Sequence, residues 1–90
     1  MSPEQRDLAR HALGLPNKSK RSYRNHFVTG KGSPDHPHWL AMVEAGHAWR
    51  RENHPLAGGD DLFRLTHSGA TLALNRGERL DPEDFPESKR

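Results

Sequence analysis

The chain has no cysteine, and that absence removes disulfide staples, thiolate nucleophiles and cysteine-ligated zinc together. It also has no isoleucine. Two valines, ten leucines and three phenylalanines make only 15 strongly apolar residues in 90. A core drawn from that supply is small, so helix packing, a partner or oligomerisation must carry stability; a dimer is left open. No apolar run approaches the roughly 18 residues of a membrane span, and no signal-type apolar stretch is present. The expectation is a soluble cytoplasmic protein with no membrane partner. A strong charge bias is missing too: 14 Lys and Arg stand against 12 Asp and Glu, a formal +2. With net charge so low and two tryptophans present, the composition fits a folded domain better than a disordered chain. Ninety residues leave room for one such domain.

What is present is clear punctuation. Ser2, Pro3 and Gln5 have the form of an N-cap, a first-turn proline and the return half of a capping box. Leu8, Ala12 and Leu15 share a face, Gly14 suits a left-handed helix end, and Pro16 stops continuation. In the next segment Asn25–Thr29 reads as extended and Gly30–Pro34 as a turn. A second helix starts at Ser33-Pro34-Asp35, or about a turn later with Pro37 in the first position. Trp39, Leu40, Met42 and Val43 form its buried stripe and Gly46 ends it. Residues 47–51 and 62–66 alternate in character around a polar loop, Asn53–Asp61, which predicts a β-hairpin. Thr66 caps a last helix carrying Ala70, Leu72, Ala73 and Leu74, ended by Asn75–Gly77. Residues 1–77 form the domain, and 78–90 form an acidic, partly ordered tail that Leu80 and Phe85 pin.

The order is helix, extended segment, helix, hairpin, helix, an α+β pattern. The stretch "LAMVEAGHAWRR…GGDDLFRLTHSGATLAL" resembles winged-helix regulators, in which a helix ends at glycine, a charged hairpin follows, and Leu-Thr-x-x-Gly opens the last helix. That resemblance implies a small winged-helix-like domain of three helices and a hairpin wing, residues 47–66, with a short third strand. The chain is also similar to small uncharacterised bacteriophage and prophage proteins through "LARHALGL", "YRNHFVTG", "MVEAG" and "FRLTHSGATLAL", between residues 8 and 74. The likeness implies a mobile-element origin and action in a host cytoplasm. It implies no mechanism.

Residues 17–31 hold Lys18, Lys20, Arg21, Arg24 and Lys31 with no acid, alongside Asn17, Ser22, Tyr23 and Asn25. Cations to neutralise phosphates, with short polar side chains to fix position, are what a nucleic-acid backbone requires. The bland alternative is a solvated loop. The helix that a winged helix would lay in the major groove gives no help, because Ser33–Gly46 contains no Lys, Arg, Asn or Gln and does contain Asp35 and Glu44. Binding then falls to the basic segment and to Arg50, Arg51 and Arg64 of the wing. Trp39 and Trp49 read as core residues of the second helix and the hairpin. The sharper alternative makes Trp49, with Tyr23, an anchor for a protein partner.

Chemistry beyond binding has little support. His36-Pro-His38 beside Asp35, with His26 nearby, supplies zinc-compatible atoms in no established spacing, and surface or capping roles serve as well. No nucleophile motif or phosphate loop occurs, and Asp60-Asp61 suits a turn. The expectation is a protein without catalytic residues, metal or cofactor. The function expected is that of a non-enzymatic phage or prophage accessory protein that binds nucleic acid through 17–31 and the wing. The competing reading is a protein-binding factor that modulates or inhibits a host defence or transcription complex.

Overall fold

The computed structural model describes residues 1–52 and 58–85. Helix α1 (Pro3–Leu13) starts on a complete capping box: Gln5 N donates to Ser2 Oγ and Ser2 N to Gln5 Oε1, each at 3.1 Å. It ends at Gly14, whose φ of 80° is the left-handed conformation the sequence requires of that glycine. The short strand β1 (Phe27–Thr29) lies inside the segment expected to be extended. Helix α2 (His36–Glu44) takes the later of the two starts. Ser33 Oγ accepts from Asp35 N at 3.2 Å and closes a turn, so the chain enters the helix only at Asp35. Gly46, at φ 79°, follows the helix end.

Strands β2 (Ala48–Arg51) and β3 (Asp61–Leu65) form the expected antiparallel hairpin, with Ala48 opposite Leu65 and Arg51 opposite Leu62. Part of its polar loop, 53–57, lies outside the described residues. β1 joins the other edge of β3, so the sheet runs β1-β3-β2 and is antiparallel throughout. Beyond β1 the side chain of Asn25 continues the pairing: Leu65 N donates to Asn25 Oδ1 at 2.8 Å, and Asn25 Nδ2 donates to Leu65 O at 3.1 Å. Helix α3 (His67–Ala73) opens where Gly69 N donates to Thr66 Oγ1. It stops at Ala73, and Asn75–Gly77 belong to the following turn. The protein is thus a small α+β fold of three helices and a three-stranded antiparallel sheet among its described residues. No helix among them is long and apolar enough to cross a membrane.

Few large residues suffice for the core because alanines let the helices approach closely. Ala9, Ala12 and Leu13 of α1 meet Ala70 and Ala73 of α3, while Trp39 and Met42 of α2 sit over Phe63 and Leu65. Trp39 stacks on Phe63 and meets Phe27 at a tilt of 37°, with ring centroids 5.4 and 5.2 Å away. Gly69 abuts the carbonyl of His47, leaving no room there for a side chain.

The placement of Trp49 in the core is overturned. Trp39 is fully buried, but Trp49 is 59% exposed. Parity decides this. Ala48 and Arg50 pair with the inward-facing Leu65 and Phe63, so Trp49, opposite Arg64, must point to the outer side of the sheet.

The acidic tail returns along the basic segment. Ser22 N donates to Arg79 O and Arg79 N to Lys20 O, both at 2.9 Å, and Asp81 N donates to Ser22 Oγ at 2.9 Å. Phe85 ends this run inside the core and Leu80 packs against it, as the sequence suggested.

Candidate nucleic-acid interface

The sheet has one face on the helices and one on water. Strand parity sends Val28 of β1, Leu62 and Arg64 of β3, and Trp49 and Arg51 of β2 to the outer side. No acid of the three strands joins them, since Asp61 is buried on the inner side. A shallow hollow of about 250 Å³ is bounded by Trp49, Arg50, Arg51, Leu62 and Arg64. A second, of about 240 Å³, lies on the other flank of Trp49 between Arg64, His67 and Asp84. The Arg64 guanidinium carbon stands 5.5 Å from the Trp49 ring centroid, a cation–π pair in water. At the β1 edge a third hollow of about 250 Å³ brings Arg24 and His26 beside Val28.

The basic segment is anchored to the end of α1, though its lysines stay exposed. A helix leaves its last carbonyls without partners, and this segment supplies the missing donors for α1. His26 N donates to Ala12 O, Tyr23 N to Leu13 O, Asn17 Nδ2 to Gly14 O, and the Arg24 guanidinium to His11 O at 2.7 Å. Its positive charge also complements the negative end of the helix dipole. Lys20 is held at φ 56°, a left-handed conformation that a lysine rarely adopts. Arg24 lies 5.4 Å from the Tyr23 ring centroid, so the two aromatics proposed as partner anchors, both about 60% exposed, each carry an arginine.

The cations proposed from sequence divide into two groups. Arg24 caps α1, Arg21 lies 3.7 Å from Asp81, and Arg50 donates through Nε to Asp61 Oδ2 at 2.9 Å. Arg24 and Arg50 thereby help hold the fold, while the Arg21 pair is exposed and contributes little. Lys18, Lys20, Lys31, Arg51 and Arg64 are exposed and, among the described residues, form no ion pair.

Acids of the interior are matched instead. Asp61 receives His36 Nε2 at 2.8 Å as well as Arg50. Glu78 takes a two-pronged bond from Arg10, at 2.6 and 2.8 Å, with both side chains at most one-tenth exposed. Those bonds, joined by the amide of Asn75, outweigh burial and hold the Glu78 carboxyl down at about 2. Arg6 and Arg10 further donate to the carbonyls of Leu74 and Ala73, the C-terminal end of α3. Sequence reasoning missed the roles of Arg10, Glu78 and Asn25.

With His36 taken by Asp61, the histidines near residue 36 do not converge, and no group of three metal-ligating side chains occurs among the described residues. No protein-family model, curated protein or solved structure matches the chain.

Proposed function

We propose that this is a non-enzymatic nucleic-acid-binding accessory protein of bacteriophage or prophage origin, acting in a host cytoplasm. The observation that carries the reading is charge segregation: the strands' outward side chains include Arg51 and Arg64 and no acid, while the interior acids are paired inside the fold. Lys18, Lys20 and Lys31 of the basic segment extend that supply of exposed cations. Backbone contacts dominate, because α2 carries no Lys, Arg, Asn or Gln to read base edges. The sheet order β1-β3-β2 and the hairpin between α2 and α3 support a winged-helix-like reading. A single helix stands between β1 and β2, so α2 lacks the preceding helix of a helix-turn-helix pair.

Fluorescence anisotropy of labelled oligonucleotides at several salt concentrations tests the reading. The logarithm of the binding constant falls with log salt by about 0.9 per duplex phosphate neutralised. Lys18→Glu and Arg51→Glu weaken binding to all sequences alike and flatten that slope. Failure of the wild type to bind any duplex or single strand at low salt sinks the reading. The 59% exposure of Trp49 favours a second reading in that event, docking of a host protein complex on the wing and Tyr23. Recovery of a partner from host lysate after nuclease treatment distinguishes the two.

A further inference from the structure

We infer that the outer face of the sheet takes an unpaired nucleic-acid strand, with Trp49 as the platform on which a base stacks and Arg51 and Arg64 on the adjoining phosphates. This rests on the nucleic-acid reading above and narrows it to strands whose bases are free.

The argument begins with how little apolar surface this chain has to give. Its core fills with alanines and three rings, yet one of its two tryptophans stands in water on an edge strand, where hairpin pairing needs no aromatic side chain. Hollows flank that ring on both sides, open and shallow, suited to a flat base and not to an enclosed metabolite. The rim is cationic. Arg64 stands against the ring and Arg51 borders the same hollow, with Leu62 as its floor. An aromatic face for the base and guanidinium groups for the backbone are the two elements that single-strand binders combine. An apolar protein partner would be matched better by a neutral rim than by these two arginines.

A duplex cannot use this site well. Its base faces are stacked inside the helix, and only their edges reach the grooves. The element that would read those edges, α2, carries Asp35 and Glu44 at its ends and no cation. A single strand, by contrast, can turn a base face to Trp49 and continue over Leu62 and Val28 toward the hollow that Arg24 and His26 border. Two strand spacings separate β2 from β1, roughly 10 Å, so the site spans a few nucleotides. Asp84 borders the hollow next to His67 and repels phosphate there, which directs the backbone to the Arg51 side.

The test uses the full chain with labelled oligothymidylate and oligouridylate of about 20 nucleotides, a duplex of equal length, and heparin as a polyanion without bases. Single strands are expected to bind about tenfold more tightly than the duplex. Oligothymidylate should quench tryptophan fluorescence, since Trp39 is buried and Trp49 is not. Trp49→Ala should lower single-strand affinity about tenfold with little change for heparin, Trp49→Phe should restore most of the loss, and Asp84→Asn should tighten binding. The DNA and RNA arms identify which strand is preferred. Equal affinity for duplex and single strand, with no quenching and no effect of Trp49→Ala, overturns the inference and leaves backbone binding standing. Absence of binding to every nucleic acid overturns both. Should Trp49→Ala fail to fold, quenching and the Phe variant decide alone.

Discussion

Replacing Glu78 by Gln removes the charge that holds Arg10 at the junction of α1 and α3. The carboxyl sits at about 2, against 4.5 for the ordinary group, and a shift of that size corresponds to about 3 kcal/mol. Its side chain is 7% exposed, so solvent screening takes little from that figure. Because the folded value lies below the unfolded one, this stability is fully present above about pH 4.5 and is lost as pH falls toward 2. Glu78→Gln has no such group and leaves a buried guanidinium without its counter-charge, so at pH 7 it should be less stable by about 3 kcal/mol. For a 90-residue domain with roughly 5–13 kcal/mol in total, that is a large fraction. Urea unfolding followed by tryptophan fluorescence at pH 7, 4 and 2.5 measures it. Other carboxylates titrate in both proteins, so the informative quantity is the gap between them, which should close as pH falls. A gap that stays constant from pH 7 to 2.5 refutes the electrostatic account and assigns the loss to packing. A gap below about 0.5 kcal/mol at pH 7 would show that the pair makes no net contribution.

Three further outcomes are expected. Gly46→Val should cost about 1 kcal/mol from its left-handed φ alone, and Gly14→Val more, because its side chain would also meet the Tyr23 ring; thermal melts should rank them so. Asn25→Leu strands the backbone N–H and C=O of the buried Leu65 and should cost about 2 kcal/mol, with faster hydrogen exchange at the Leu65 amide. Zinc should produce no stoichiometric rise in melting temperature; a one-to-one rise abolished by His36→Ala would contradict the geometry around Asp61.

Features encoded within a few residues were legible in the sequence. Ser2 with Gln5, Thr66 with Gly69, and the glycines at 14 and 46 announce helix ends because the bonds involved span five residues or fewer. The hairpin was legible from its alternation. Its parity was not, since Ala48 and Arg50 face inward only through the register with β3, and the larger Trp49 looked the better candidate for burial. The cations of the candidate site could be named from sequence, but their commitments could not. Arg24 belongs to the carbonyl of His11 and Arg50 to Asp61, over separations of 13 and 11 residues that no local pattern encodes. Arg10 and Glu78 are 68 residues apart.

That last separation bears on how the molecule assembles. The hairpin and its junction with α2 close short loops at little entropic cost. Docking α1 on α3 instead closes a loop of nearly seventy residues, which removes roughly 4 kcal/mol of chain entropy before Arg6, Arg10 and Glu78 make any contact. The docking step is therefore expected late in folding. A second set of bonds ties residues 20–22, next to the segment that caps the first helix, to 79–81, so releasing that helix should also release the tail. The two ends of the described chain should open and close as one cooperative unit around a sheet that outlasts them.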